Sequence, residues 1–178
     1  MRAQARATYR VQMRAEFDFA AAAEIVPYLH QLGVSHLYCS PYMQAAPHST
    51  HGYDVVDPTK VSSELGGERG LRVLDRALRE ARMGQLLDIV PNHMCVADRG
   101  NRWWWDVLRT GRQSPYAAMF DIDWDAPALR GRVLLPVLRD PLTDVLERAA
   151  LQVVDGNDGF ELYYCGTRFP LAVGSAMT

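Results

Sequence analysis

Two short segments of this 178-residue chain hold most of the side chains that could do chemistry. The first is Leu87 to Met94, LDIVPNHM. A run of aliphatic residues delivers Asp88, and Pro91 then stops the run and presents Asn92 and His93. This reads as a strand ending in a turn, with Asp88 inside the strand and His93 just past it. In a parallel α/β barrel, functional side chains sit where strands end at the C-terminal face. An imidazole there can donate to a ligand hydroxyl. The plainer reading is a loop histidine satisfied by backbone, and spacing alone leaves both open.

The second segment is His48 to Glu64, HSTHGYDVVDPTKVSSE. His48, His51, Tyr53, Asp54 and Asp57 fall within ten positions. Gly52 allows a tight backbone turn. The Tyr53 ring can pack against an apolar face of a ligand. Aspartates accept hydroxyl hydrogens in charge-assisted bonds. The blander reading is a turn-rich loop whose Asp and Ser residues cap the next helix. His48 and His51, with His93 as a third, have zinc-like spacing. No HExxH or further clustered ligand accompanies them, so no metal and no cofactor is assigned. Trp103, Trp104 and Trp105 cannot all face one way on a helix, so at least one belongs to a core.

Positioning these residues takes alternating strands and helices. Ala7 to Met13 reads as a strand. Phe19, Ala22, Val26 and Leu29 recur at helical spacing, with Asp18 as N-cap, Pro27 as a kink and Gly33 as the stop. Ser35 to Ser40 reads as a second strand, and 41–67 as a long loop. Leu71, Leu74, Leu78 and Ala81 mark a second helix, closed by Gly84. Gln85 to Val90 reads as a third strand. This order predicts parallel strands with right-handed crossovers. After residue 95 the rhythm breaks. The residues then predict a short aromatic helix over 101–108. They also predict strands at Arg132 to Leu138, Leu151 to Val154 and Phe160 to Cys165. The expected domains are therefore 1–95 and 96–178.

Composition narrows the classes. Hydrophobic residues make up 48% and charged residues 22%, ordinary for a globular chain. A formal net charge of −2 provides no basic field for nucleic acid or anionic lipid. Lys60 is the only lysine among scattered arginines. Cys39, Cys95 and Cys165 are widely spaced and odd in number, which fits thiols in a reducing compartment. No apolar run approaches the ~20 residues of a membrane span. Met1 to Arg14 has no apolar signal core. The expectation is a cytoplasmic protein without a nucleic-acid or membrane partner.

These segments together resemble the α-amylase superfamily (glycoside hydrolase family 13). LDIVPNHM is similar to its first conserved region, and HGYDVVDP to its loop after the second strand. ATYRVQM, LGVSHLYCSP, WWWDVLRTGRQSPYAAMFDIDW, VLLPVL and RFPLA resemble, more narrowly, its trehalose-forming isomerases. The resemblance runs over nearly the whole chain. It implies the first three strand–helix units of a (β/α)8 TIM barrel, followed by part of an irregular domain inserted after the third strand. It implies a maltooligosaccharide substrate, whose reducing-end α-1,4 bond becomes an α,α-1,1 bond. It further implies that His93, Tyr53, Asp54 and His51 bind substrate, with Tyr53 beneath the reacting ring. Asp88 and Asn92 would support them, Asn92 structurally rather than as a calcium ligand.

One departure matters. The family's nucleophile stands in an arginine-x-aspartate context on the fourth strand, and its acid glutamate follows the fifth. Neither appears here, so no catalytic residue is assigned. A barrel of this type takes about 250 residues. The expectation is a fragment, inactive and poorly stable alone. Two alternatives stay open: another hydrolase or transferase of the superfamily, and a non-catalytic glucan-binding remnant.

Overall fold

The computed structural model describes residues 4–156 and 158–175. The chain divides into two compact units, Met1–Cys95 and Val96–Thr178.

The first unit runs β1 (Thr8–Val11), α1 (Phe19–Glu24), α2 (Val26–Gln31), β2 (His36–Cys39), β3 (Met43–Ala45), β4 (Val55–Val61), α3 (Gly67–Glu80) and β5 (Gly84–Leu87). Strands β1, β2 and β5 form one parallel sheet in that order. Asp18 caps α1 by accepting from the amides of Ala20 and Ala21 at 2.9 and 3.0 Å. The expected single helix is two, broken at Ile25 with Pro27 in the first turn of α2, where a missing N–H costs nothing. Gly33 takes φ 86° and ends α2.

Register explains where the side chains go. Val11 pairs with Cys39, and Cys39 with Leu87. Successive strand residues face opposite sides. Val11, Leu37 and Cys39 therefore point one way, into a core with Phe19, Leu29, Leu74 and Leu78. Arg10 pairs with Tyr38, and Tyr38 with Leu86, so these point the other way. Asp88, two residues beyond Leu86, shares their face.

Four expectations need correction. The supposed loop 41–67 contains an antiparallel pair, β3 with β4. Pro58 sits within β4, which fits only an edge position and masks the strand in the sequence. Gly84 does not close the helix. Helix α3 ends at Glu80, and Gly84 opens β5 with its backbone against the His36 ring. Asp88 lies one residue past β5 rather than inside it, although its amide still reaches the Cys39 carbonyl at 3.3 Å. Arg132 to Leu138 is not a strand, because Pro136 interrupts it and no partner pairs with it.

The second unit contains α4 (Arg102–Thr110), α5 (Leu142–Glu147), and an antiparallel meander of β6 (Gln152–Gly156), β7 (Gly159–Tyr164) and β8 (Thr167–Pro170). Strand β8 is an addition to the elements expected. Asn101 caps α4 by accepting from the Trp104 amide at 3.0 Å. Trp104 and Trp105 are buried, and Trp103 stacks on Tyr116 with centroids 5.3 Å apart. The triplet thus belongs to packing. The Glu161 side chain is 3% exposed and is held between Arg99 at 3.5 Å and Arg168 at 3.2 Å. Buried carboxylates persist only with such partners.

Candidate functional site

The C-terminal ends of β1 and β5 and the turn between β3 and β4 converge on one cluster. The turn is built locally. Gly52 has φ 77°, and a side chain there would press on the Pro41 carbonyl. The Ser49 hydroxyl donates to Asp54 and accepts from the Gly52 amide at 3.0 Å. The Ala46 amide bonds to the Asp54 carbonyl at 3.0 Å. This turn presents His51, Tyr53 and Asp54.

At the centre of the cluster stands the Tyr53 hydroxyl, which donates to Asp88 Oδ2 at 2.5 Å and accepts from Arg10 Nη2 at 3.0 Å. The Tyr38 hydroxyl lies 3.4 Å from the same Asp88 oxygen. Arg10 is 3.9 Å from Asp88 and lies over the Tyr38 ring, 5.5 Å from its centroid. The bond to Asp88 holds the Tyr53 phenol above the ordinary tyrosine range, because ionisation would set two negative oxygens together. The same phenol raises Arg10, chiefly through their hydrogen bond.

The two histidines are engaged by protein groups. His51 Nδ1 accepts from the Tyr53 amide at 3.0 Å, and its ring lies 6.0 Å from the Tyr53 ring at 28°. A nitrogen that accepts carries no proton, so the 3.7 Å approach of His51 Nδ1 to Asp54 is not an ion pair in this state. His93 Nε2 lies 3.2 Å from the Tyr53 carbonyl and Nδ1 3.0 Å from the Asn92 side-chain oxygen; both oxygens accept, so a neutral imidazole, with its single N–H, donates to one of them. A ligand hydroxyl that accepts from His93 Nε2 must displace that carbonyl.

The six residues expected to bind or support substrate therefore lie in this turn or next to it: His51, Tyr53, Asp54, Asp88, Asn92 and His93. Three more join them that residue type and spacing do not single out: Arg10, Gln12 and Tyr38. Their signal lies in strand pairing. Arg10 and Gln12 alternate with buried Val11 and Met13, so they face away from the core at a strand end. Among the described residues no group of three His, Cys, Asp or Glu side chains could hold a metal ion. A cavity of about 790 Å³ opens in the second unit beside Arg109, Trp124 and Arg132, and holds none of these residues.

Residues 16–133 match the family described as alpha amylase, catalytic domain, which is more than half of the chain. The chain belongs to the α-amylase family. A putative maltooligosyl trehalose synthase of Mycobacterium tuberculosis is 54% identical over 137 residues, covering 74% of this chain and 18% of that protein. The solved maltooligosyltrehalose synthase of Arthrobacter ramosus superposes with TM-score 0.84 at 50% identity, over 94% of this chain and 21% of that one. A hypothetical maltooligosyl trehalose synthase of Sulfolobus tokodaii gives TM-score 0.79 at 35% identity, over 96% and 22%. The chain thus spans about a fifth of the length of these α-amylase-family relatives. Its parallel β1–β2–β5 sheet with crossover helices is of the TIM-barrel-type α/β kind that this family implies.

Proposed function

We propose that this chain forms the substrate-reading start of an intramolecular transglucosylase acting on maltooligosaccharides. The reaction moves the reducing-end glucose from an α-1,4 to an α,α-1,1 linkage and leaves a non-reducing product. The observation that carries this reading is the 54% identity to a putative maltooligosyl trehalose synthase. The Tyr53–Asp88–His93 cluster is consistent with it. In this reading Met1–Cys95 contributes the first three strand–helix units of a (β/α)8 barrel. Val96–Thr178 belongs to a subdomain inserted after the third strand. No described helix is long and apolar enough to cross a membrane, and we place the enzyme in the cytoplasm.

Each residue has a role. Tyr53 offers its ring to the apolar face of the reacting glucose. His93 donates to a hydroxyl of that glucose once it gives up the Tyr53 carbonyl. His51 and Asp54 line the approach. Asp88 and Asn92 hold Tyr53 and His93. The chemistry itself needs two carboxylates about 5 Å apart. One attacks the anomeric carbon while the other protonates the departing glucose oxygen. The freed glucose turns, and its anomeric hydroxyl attacks the glycosyl-enzyme, returning the proton. No water is consumed, so exclusion of water decides transfer over hydrolysis. Neither carboxylate lies within these residues, and the 178-residue chain alone is expected to leave maltopentaose unchanged.

The test is product analysis on the natural gene product at its full length. Incubated with maltopentaose, it should remove reducing ends while releasing little free glucose. An increase in reducing ends would instead identify a hydrolase of the same family. Binding without turnover would leave a glucan-binding protein.

A further inference from the structure

The roles above leave Arg10 and Gln12 unused, although both reach the centre of the cluster. We propose that Arg10, braced by Gln12, is a positioning residue that fixes the Tyr53 ring at the angle a sugar requires. The inference rests on the reading of Tyr53 as a sugar platform.

Tyr53 sits on a turn, half-buried, with the His51 ring 6.0 Å from its own. Its hydroxyl is caught between a donor and an acceptor, Arg10 Nη2 at 3.0 Å and Asp88 Oδ2 at 2.5 Å. A group held from two directions cannot swing without breaking one bond. The donor is itself held. The Arg10 guanidinium lies over the Tyr38 ring, and its Nη1 donates to Gln12 Oε1 at 3.3 Å. Gln12 Nε2 donates onward to the carbonyl of His51 at 3.1 Å and reaches that of Thr50 at 3.5 Å. The end of β1 therefore grips the turn twice, once by its backbone and once by the Tyr53 side chain. The guanidinium fork serves both attachments at once, which a lysine ammonium at one point cannot.

Magnitude separates this role from a strut. The Arg10 side chain is 41% exposed. Exposed pairs of this kind contribute little to stability. Misplacing a substrate-contacting group by an ångström, in contrast, can cost about a hundredfold in rate. A residue that contributes little to folding yet defines a ring angle should show itself in kinetics.

The experiment is a double-mutant cycle in the natural gene product at full length: Arg10→Met, Tyr53→Phe and the pair. Consumption of maltopentaose and the thermal midpoint are both followed. Tyr53→Phe keeps the ring but removes the hydroxyl through which Arg10 acts. Each single change should lower kcat/KM about tenfold, and the pair by about the same tenfold. The thermal midpoints should shift by no more than a few degrees. Arg10→Lys should restore part of the loss. A pair that multiplies to about a hundredfold loss overturns the proposal, as does Arg10→Met with unchanged kinetics. Should Arg10→Met fold poorly, Arg10→Lys with Tyr53→Phe completes the cycle: the Arg10→Lys loss should vanish in the Tyr53→Phe background, and an equal loss in both backgrounds overturns the proposal. If the unmodified enzyme only hydrolyses maltopentaose, the isomerase reading falls, and the cycle read on hydrolysis still decides the role of Arg10.

Discussion

Asp88 and Arg10 pull the Tyr53 phenol in opposite directions. Asp88 accepts its proton and favours the neutral form, whereas Arg10 would stabilise a phenolate. The Asp88 influence is the larger, so the phenol holds its proton above the usual value of about 10. Asp88→Asn should therefore lower the Tyr53 ionisation midpoint, and Arg10→Met should raise it further. Tyrosine ring-carbon NMR shifts followed against pH, with the Tyr53 signal assigned through Tyr53→Phe, would report both. Midpoints that stay put would mean that the hydrogen bonds do not persist in solution. A second residue-scale contrast concerns the thiols. Burial pushes Cys39 up to about 11, while Cys165 lies exposed on the turn after β7. Iodoacetamide at mildly alkaline pH should modify Cys165 promptly and Cys39 only after unfolding, because the thiolate is the reacting species. Peptide mapping by mass spectrometry would distinguish them, and early labelling of Cys39 would show that its site opens easily.

The β2–β5 pairing depends on Gly84. A Cβ at that position would stand 2.3 Å from the ring of His36, which is buried. Gly84→Ala should thus cost about 1–3 kcal/mol by overpacking, read as a lower denaturant midpoint. A neutral outcome would mean that the His36 ring moves aside with little penalty. Gly84 also shows why some elements are readable in the sequence and others are not. Helices α1 to α3 announce themselves through periodicity, because each buries one face, and the three parallel strands stand out as short runs between them. Gly84 reads as a helix stop, since a glycine after a helical pattern usually is one. Its real task is to let the backbone approach the ring of His36, a residue from another strand, and that leaves no local trace. Strands β3 and β4 hide behind Pro58 for a related reason: an edge strand has few buried positions to reveal it. The candidate site divides likewise. Tyr53 and His93 stand out by residue type and local company. Arg10, Gln12 and Tyr38 become visible only once register sets them on one face beside Asp88.

At the scale of the molecule, β1 and β5 end the described parallel sheet on either side of β2, each with one edge unpaired in it. Leu87 and Ile89 are 54% and 67% exposed beside one of those edges. Unpaired edges with apolar neighbours template association between chains. The 178-residue chain on its own should therefore self-associate with rising concentration in sedimentation velocity, and Ile89→Lys should reduce that association. A monomer that persists at high concentration would argue against this reading. The same sheet has a consequence in time. Arg10 bonds to Tyr53 43 residues later, and Tyr53 to Asp88 another 35 residues on. On a ribosome adding ~5–20 residues/s, Arg10 waits about 4–16 s for Asp88 to be made. The first strand emerges with its guanidinium and glutamine solvated and its pairing edge open. The cluster closes only when the last of its three strands arrives, so β1 is the part of the cluster that a chaperone has longest to hold.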